Sequence, residues 1–434
     1  MQPRTAELAP SETSALLEFL FRLAQAYLAC GEQTAELERI VRDVALAYGM
    51  RGARVVTFPT AVFISLDDGE GERVTLSEGP AQTLRLDQIA EVYVLGDAAQ
   101  RGEVTPREGL ERLAAILRTP ARFGPIGSVV GHTILTVGLA IVLRPSLDNL
   151  VAAAALGAVI GVLKELNRGR TMLAIPLPVV AAALVSALVL YAEKRGLAVN
   201  ALSAVVPPLV TFLPGAMLAL SMKELAYGDM VSGSSRLITG FVQLVLLAFG
   251  LVAGATLVGE PSTYLLEPTT QVTGAPWATA AGVVLFGVGL YIHLSAPPRS
   301  LGWMLFVMFV ALAAQRLGAG LFGSMISGFF GTLVATPLAY LIQQRFRGPP
   351  ATVTFLPSFW LLVPGSLGLE SVARMLGDRA AGLEGLTTVV FAMASIALGT
   401  LVGASFYKWL SEKARRVQRR IRRVRSYVRR SGGG

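Results

Sequence analysis

The feature that most constrains the fold is a motif that interrupts two apolar segments at matching positions. The motif reads P-x6-P-G, and its second copy follows the first at a displacement of 150 residues. The two copies are Pro207, Pro214 and Gly215, and Pro357, Pro364 and Gly365. Both residue types break helices, and a backbone amide or carbonyl freed inside hydrocarbon is costly unless a neighbour or a water-lined cavity satisfies it. Paired breaks in the two halves of a membrane chain therefore indicate a transport site.

The composition indicates a polytopic α-helical membrane protein. Of 434 residues, 53% are hydrophobic and only 15% are charged, with a mean hydropathy of +0.58. Apolar segments that predict about ten transmembrane helices lie near 126–143, 150–163, 171–191, 201–221, 237–258, 276–296, 301–314, 321–341, 352–370 and 386–407. The segments 150–163 and 301–314 are short for a span of about 20 residues, so their ends are uncertain. The single cysteine, Cys30, excludes an intramolecular disulfide and a Cys-based metal cluster, and we expect no cofactor.

The placement of Lys and Arg predicts that both termini are cytoplasmic. With ten spans, most basic residues between spans, and the whole C-terminal tail, fall on one side of the membrane. The 259–275 loop has no Lys or Arg and is expected outside. Lys194, Arg195, Arg374 and Arg379 fall on the other side, so the rule is obeyed by a majority of the residues.

The displacement of the motif extends to other residues and predicts an internal duplication. At a displacement of 151 residues, a set of five residues in 131–141 matches 282–292, including Gly131 with Gly282 and Gly138 with Gly289. The expected units are transmembrane repeat 1 at 123–258 and transmembrane repeat 2 at 276–408. Because five spans per unit is an odd number, the second five-helix repeat must be inverted relative to the first.

A small α/β domain is expected at 14–122, after a flexible N-terminus at 1–13. Its periodicities predict the order αα-ββ(β)-αα, with Thr34 and Thr105 as helix caps. The orientation of the spans would make this domain cytoplasmic. It has no histidine, no Gly-rich phosphate loop and no spacing typical of a catalytic triad, so we do not expect an enzyme. A regulatory or assembly role is the interpretation that remains.

Ionisable residues in or beside spans are candidates for proton coupling. They are Glu224, Asp229, Glu370, His132 and His293. Each has a plain alternative: the 223–236 segment can be an ordinary solvated loop, Glu370 can begin an external loop, and an intramembrane histidine is often a hydrogen-bonded packing residue.

A second set of candidates surrounds the two breaks and would bind substrate. Half-helix amide ends and hydroxyl groups can hold a carboxylate, and an arginine can neutralise it by bidentate contact. The set consists of Thr211, Pro214, Gly215, Arg236, Pro364, Gly365 and Ser366.

The net charge of +9 comes from the tail at 409–434. Residues 413–430 carry ten Lys or Arg and no acid, and their apolar residues recur at helical spacing. A basic amphipathic helix beside a membrane is expected to bind anionic lipid, and nucleic-acid binding is the weaker interpretation.

These residues together resemble the threonine/serine exporter family of bacterial inner-membrane proteins. The resemblance lies in L-A-C-G-E-Q-T-A-E-L-E-R-I-V-R-D-V-A at 28–45, T-F-P-T-A-V-F-I-S at 57–65, F-L-P-G at 212–215 and G-D-M-V-S-G-S-S-R at 228–236. It covers about 14–408 and implies proton-driven export of small amino acids. Related systems, in which the two parts are separate chains, are linked to dicarboxylate export, so that substrate stays an alternative. A passive channel and a scaffold are further alternatives, and the Gly-rich spans would permit a homo-oligomer.

Overall fold

The structure is a computed structural model. It describes residues 10–67, 72–78, 84–143, 146–170, 172, 176–197, 199, 201–259, 276–362, 369, 371 and 379–431. Two parts follow one another along the chain, an α/β front part and a helical membrane part.

The front part has the predicted order of elements. Its elements are α1 (Pro10–Ala29), α2 (Thr34–Ala47), β1 (Arg54–Phe58), β2 (Ala61–Asp67), β3 (Glu72–Glu78), α3 (Leu86–Gln100) and α4 (Pro106–Arg118). The strands form an antiparallel sheet in the order β1-β2-β3, with Val55 paired to Ile64 and Ile64 paired to Thr75. Side chains of β2 alternate, so that Val62 and Leu66 are buried with Ile64 against the helices.

The two predicted helix caps have different outcomes. Thr105 caps α4 as expected, because its hydroxyl accepts a hydrogen bond from the amide of Glu108 at 3.3 Å. Thr34 does not cap α2. The N-cap residue is Gln33, which makes no side-chain cap bond, and the Thr34 hydroxyl instead contacts Glu224, 190 residues away. The hydroxyl therefore donates to a distant carboxylate and does not accept from a local amide.

Among the described residues, the membrane part consists of helices that overlap each of the ten predicted apolar segments. They are α5 (Gly124–Leu143), α6 (Leu147–Leu166), α7 (Leu177–Lys194), α8 (Ala201–Leu209), α9 (Gly215–Tyr227), α10 (Met230–Val258), α11 (Pro276–His293), α12 (Leu301–Phe322), α13 (Ser327–Arg345), α14 (Ala351–Leu362) and α15 (Arg379–Ser431). The segment 201–221 corresponds to two helices, α8 and α9. The 53-residue helix α15 includes the last apolar segment and the basic tail.

Seven helices in the described residues are long and apolar enough to cross a membrane. Helices α8 and α9 add an eighth span if they form one broken span, since they bend by 55° at a short break. The two segments with uncertain ends belong to helices of full length, α6 with 20 residues and α12 with 22. The apolar parts of α11 and α14 are shorter, so the count of ten spans stays a prediction.

Helices α5 and α11 pack closely through glycines that the duplication pairs. A Cβ atom added to Gly138 would lie 2.8 Å from the carbonyl oxygen of Gly282, and one added to Gly131 would lie 2.9 Å from that of Gly289. The contact therefore joins Gly131 to Gly289 and Gly138 to Gly282. Gly282 lies 151 residues after Gly131, and Gly289 lies 151 residues after Gly138. The displacement of 151 residues therefore relates the contact between Gly131 and Gly289 to the contact between Gly282 and Gly138.

A second packing contact occurs once in each half. In the first half, Gly250 and Gly254 of α10 approach the carbonyl oxygens of Val179 and Ala183 in α7. In the second half, Gly399 and Gly403 of α15 approach the carbonyl oxygens of Phe329 and Leu333 in α13. The displacement is 149 residues for the glycines and 150 for the carbonyls. The same backbone approach in both halves agrees with the predicted duplication.

The front part is docked on the membrane part by hydrogen bonds and by a shared apolar core. The amide of Leu86 donates to the carbonyl oxygen of Leu294 at 3.1 Å, and the Thr352 hydroxyl donates to the Tyr93 hydroxyl at 3.1 Å. Met304 and Val353 are buried in the same cluster as the front-part core. The two parts therefore pack around a common apolar core, and the cavity described next is lined by residues of both.

Candidate functional site

The first P-x6-P-G copy produces a break in the backbone between α8 and α9. Residues Val210–Phe212 form one 3-10 turn, Leu213 is extended, and α9 begins at Gly215. Pro214 cannot donate a backbone hydrogen bond, so the ladder of bonds cannot continue through it. The side-chain amide of Gln243 in α10 donates to the Phe212 carbonyl oxygen at 2.7 Å. A neighbouring helix thus satisfies part of the break, as the cost of free backbone groups in hydrocarbon requires.

The side chain of Lys164 lies beside this break. Its Nζ atom donates to the Thr211 hydroxyl at 3.0 Å and to His293 Nε2 at 2.9 Å. It also lies 5.6 Å from the centre of the Phe212 ring. A helix-end lysine of α6 is therefore joined to the broken span and to α11. We call Lys164, Thr211, His293 and His132 the lysine cluster.

Hydrogen-bond partners assign the proton of His293 and place His132 beside it. His293 Nδ1 lies 2.9 Å from the Ser128 carbonyl oxygen, which only accepts, so Nδ1 carries the proton and Nε2 accepts from Lys164. His132 is buried and its Nε2 lies 3.3 Å from the Thr211 hydroxyl. The rings of His132 and His293 are in edge contact at 5.0 Å. The two histidines that sequence placed in separate spans are thus neighbours.

A cavity of about 780 Å³ connects the break to the front part. From the membrane part it is lined by Lys164, Thr211, Ala216, Lys223, Arg236, His293, Phe359 and Trp360, among others. From the front part it is lined by Tyr27, Cys30, Glu32, Glu36, Arg39 and Tyr93, among others. A cavity of this size falls within the usual range of small-ligand sites. Its wall carries cations and carboxylates, which suits a small charged or zwitterionic ligand.

A second polar cluster lies where α2 meets α9 and α10. The Glu224 side chain is fully buried, and its Oε2 atom lies 3.1 Å from Arg236 Nε, although the N–H is not aligned for a hydrogen bond. Its Oε1 atom accepts from the Thr34 amide at 3.2 Å and from the Thr34 hydroxyl at 3.3 Å. The Thr34 hydroxyl also lies 3.4 Å from Asp229 Oδ2. We call Thr34, Glu224, Asp229 and Arg236 the junction cluster.

Two ionisable groups of the front part that line the cavity, the Tyr93 hydroxyl and the Cys30 thiol, are held in their neutral forms. Tyr93 donates a hydrogen bond to Glu32 and packs edge-on against Tyr27. Burial raises the pKa of the Tyr93 hydroxyl and of the Cys30 thiol well above their ordinary values. Cys30 is 8% exposed, so its thiol is protonated and shielded at neutral pH.

The structure separates the predicted residues into groups. Thr211, His132 and His293 meet in the lysine cluster, and Glu224, Asp229 and Arg236 meet in the junction cluster. Pro214 and Gly215 lie at the start of α9. The second copy of the break cannot be compared with the first, because Pro364, Gly365, Ser366 and Glu370 lie outside the described residues.

Sequence reasoning missed one residue of each cluster, Lys164 and Thr34, and it also missed Gln243, which satisfies part of the break. Lys164 was counted only among the basic residues between spans that predict the orientation of the chain. Gln243 is one polar residue in an apolar span, and Thr34 was predicted to cap its own helix. A lysine close to the end of an apolar segment gives a weak signal, because such residues often extend to the membrane surface. Only the contact with His293, 129 residues away, distinguishes Lys164.

A helical membrane protein with a polar cavity beside a broken span has the architecture typical of secondary transporters. The chain belongs to the family described as "Putative threonine/serine exporter", whose match covers residues 18–258, more than half of the chain. The family resemblance drawn from the sequence motifs is therefore confirmed. The family is one of transporters, and the chain is assigned to a transporter class and not to an enzyme class.

Two relatives match over most of this chain. A protein of Mycobacterium tuberculosis (strain ATCC 25618 / H37Rv) named "Probable threonine/serine exporter" is 26% identical over 403 residues, which are 89% of this chain and 75% of the relative. An uncharacterized protein of Schizosaccharomyces pombe (strain 972 / ATCC 24843) is 22% identical over 390 residues, 86% of this chain and 49% of that protein. No solved structure matches.

Proposed function

We propose that this protein is a secondary active transporter that exports small amino acids, threonine and serine, through the cavity beside the broken span. The observation that carries the proposal is the cavity itself, which reaches Thr211 at the break and is lined by groups of both charges. A zwitterionic amino acid needs a cation for its carboxylate and a polar or anionic group for its ammonium. Family membership supplies the substrate class.

Alternating access between two inverted five-helix repeats is the proposed mechanism. The glycine contacts between α5 and α11 support it, because they exchange under the displacement that relates the two halves. Rocking of residues 123–258 against 276–408 would open the shared cavity first to the front part and then to the opposite side. The break supplies a flexible joint that a continuous helix would not.

The substrate carboxylate is proposed to bind at the start of α9. The amide ends near Pro214 and Gly215 carry the positive end of the helix dipole, and Ala216 lines the cavity. Pro364, Gly365 and Ser366 would form the corresponding end in the second repeat. Arg236 also lines the cavity and was the predicted partner of the carboxylate, but it already faces Glu224.

Proton coupling is proposed for the acids and histidines near the cavity. Glu224 and Asp229 would exchange protons as the junction cluster opens, and Glu370 would act in the second repeat. His132 and His293 are further candidates, since both touch the lysine cluster. Coupling to the inward proton gradient would drive export, which a passive channel would not do.

We further propose a bacterial inner-membrane location with both termini and the front part in the cytoplasm. With ten spans, most Lys and Arg residues between spans would fall on that side, together with the basic tail at the end of α15. That tail would bind anionic lipid. The Gly-rich helices would also permit a homo-oligomer.

The test is a counterflow assay with the purified protein in liposomes. Labelled threonine, serine and succinate are compared at two internal pH values. We expect saturable exchange of threonine and serine, with uphill accumulation when a pH gradient is imposed. Flux that saturates for none of the three would refute transport, and flux that ignores the gradient would favour a passive channel.

The placement of the site at the breaks has its own test. Gly215→Leu and Gly365→Leu would each put a bulky side chain where the carboxylate is proposed to bind, and we expect both to lose most of the threonine exchange. Unchanged exchange in both variants would place the substrate elsewhere.

A dicarboxylate exporter is the second candidate. Three cations of the membrane part, Lys164, Lys223 and Arg236, line the cavity, which would suit two carboxylates. Faster exchange of succinate than of threonine in the same liposomes would favour this function.

A further inference from the structure

We propose that Lys164 supplies the cation that pairs with the substrate carboxylate beside the start of α9, with Thr211 and His293 as positioning residues. This inference rests on the proposed function, because it names the contact by which an exported amino acid or dicarboxylate would be recognised. Neither the family match nor the relatives assign any role to Lys164.

The charge of Lys164 lacks a partner among the residues that the structure describes. Both hydrogen-bond acceptors of its Nζ atom, the Thr211 hydroxyl and His293 Nε2, are neutral groups. No carboxylate of the described chain lies within 4.0 Å of Nζ, and the neighbouring Glu165 pairs with Arg168 at 3.3 Å instead. A partly buried cation at the end of a membrane helix is costly without a counter-charge, and an ionisable residue beside a span is a candidate for a functional site. A bound carboxylate would supply the missing charge.

The geometry leaves Lys164 one donor for a ligand. An ammonium group has three N–H donors, and two of them are used by Thr211 and His293. The side chain is half-buried and lines the cavity, so the third donor is within reach of the cavity contents. A carboxylate bound there would make a charge-assisted hydrogen bond, the stronger kind.

The two positioning residues hold the ammonium group from opposite elements. His293 is fixed by its bond to the Ser128 carbonyl oxygen, which points the Nε2 lone pair at Lys164. Thr211 belongs to the short turn that joins α8 to α9. Since Thr211 is part of the break, a ligand held by Lys164 would lie beside the element that is expected to move. Recognition and movement would then be linked through one hydrogen bond.

The contrast with Arg236 supports the assignment. Arg236 also lines the cavity, but its Nε atom faces the buried carboxylate of Glu224 at 3.1 Å. An arginine already neutralised by the protein gains less from a second anion than a lysine without any anion. Of these two cations, Lys164 therefore fits the role better.

Binding of two ligands that differ only in the carboxylate tests the proposal. The full chain in nanodiscs is titrated with threonine and with threoninamide, whose carboxylate is replaced by a neutral amide. The titration is run at about pH 6, where both ligands keep a protonated α-ammonium group. The variants are Lys164→Met, Lys164→Arg and the matched control Lys408→Met, which removes an exposed lysine of α15.

For the wild type and for Lys408→Met we expect threonine to bind at least about tenfold more tightly than threoninamide, a difference typical of one charge-assisted contact. In Lys164→Met the affinity for threonine falls to that for threoninamide, while the affinity for threoninamide stays as in the wild type. The unchanged amide affinity shows that the variant is folded. Lys164→Arg keeps part of the preference.

Four results would overturn the assignment. A Lys164→Met protein that keeps the full preference for threonine would place the carboxylate elsewhere, and an equal loss of both ligands would make Lys164 a structural residue. Equal binding of both ligands by the wild type would mean that the carboxylate is not recognised, although export could still occur. A wild-type protein that binds neither threonine, serine nor succinate would overturn both this inference and the proposed function.

Discussion

The lysine cluster and the junction cluster both lie along the broken span, but they differ in charge balance. In the junction cluster, the buried carboxylate of Glu224 faces Arg236 and also accepts two hydrogen bonds from Thr34. In the lysine cluster, Lys164 has only neutral partners among the described residues. A buried charge that has a counter-charge in the protein is already neutralised, whereas a charge without a counter-charge is available for an oppositely charged ligand. On the account proposed above, the first cluster holds the two parts together and the second is the proposed binding site of the substrate carboxylate.

The largest expected effect comes from removing one partner of the balanced pair. Glu224→Ala would leave Arg236 without its carboxylate and the Thr34 amide without its acceptor, and breaking a buried pair costs about 3–5 kcal/mol. The front part is expected to undock, which would expose Cys30. The measurement is the rate at which maleimide labels this single cysteine, which is slow in the docked protein because the thiol is buried and its raised pKa keeps it protonated.

The control for that prediction is Glu18→Ala. Glu18 pairs with Arg22 at 2.7 Å, but both side chains are about half exposed. Exposed pairs contribute about 0–1 kcal/mol, so labelling should stay near the wild-type rate. If Glu224→Ala were labelled no faster than Glu18→Ala, the junction cluster would not hold the front part in place.

A smaller effect, on threonine exchange, is expected from widening the contact between α5 and α11, the helices that carry the two histidines of the lysine cluster. In Gly138→Ala the added methyl group would overlap the backbone of Phe286, and overpacking costs about 1–3 kcal/mol. Helix α5 carries His132 and α11 carries His293, so their separation should disturb the lysine cluster and slow threonine exchange. Cys30 labelling should stay unchanged, because the junction cluster lies on other helices.

Gly320→Ala in α12 is the matched change, since its Cβ atom would meet no atom within 4 Å. We expect normal exchange and a slight gain in stability, as for other Gly-to-Ala changes in helices. Equal loss of exchange in both variants would show that the α5–α11 contact has no special role.

The smallest effect is expected at the Thr34 hydroxyl. Thr34→Val removes one hydrogen bond to Glu224 but keeps the bond from the backbone amide, so docking should weaken by about 0.5–1.5 kcal/mol. A modest rise in Cys30 labelling would be measured. Thr239→Val serves as the control, because that exposed hydroxyl only bonds to its own helix. A rise as large as in Glu224→Ala would mean that the hydroxyl, and not the carboxylate charge, holds the junction.

Sequence patterns predicted the parts of the fold that local rules determine. The ten apolar segments correspond to helices, and the P-x6-P-G motif at 207–215 correctly indicated a break. The Thr105 cap was also correct, since the cap and the amide it satisfies are three residues apart. Periodicity and capping act within a few residues, so one sequence is enough to recognise them.

The clusters could be predicted only in part, because they depend on contacts between distant segments. Sequence alone selected His132, His293, Glu224 and Arg236 as candidates, but nothing in it pairs Lys164 with His293 or Thr34 with Glu224. Thr34 shows why a local rule fails: a capping hydroxyl would accept a hydrogen bond from a nearby amide, whereas the Thr34 hydroxyl donates to the carboxylate of Glu224, which lies 190 residues away in the sequence.

Threonine counterflow in two charge-neutralised proteins tests the central claim most directly. In Glu224→Gln/Arg236→Met both charges of the junction pair are removed together and the amide oxygen can still accept from Thr34, a kind of exchange that is often nearly neutral. In Lys164→Met the unpartnered cation is removed. We predict that, at equal pH on both sides of the membrane, where exchange needs no net proton movement, the double variant retains most of the exchange, whereas Lys164→Met loses it. Threonine exchange that persists in Lys164→Met and disappears in the double variant would contradict this account. It would indicate that Arg236, and not Lys164, binds the substrate carboxylate.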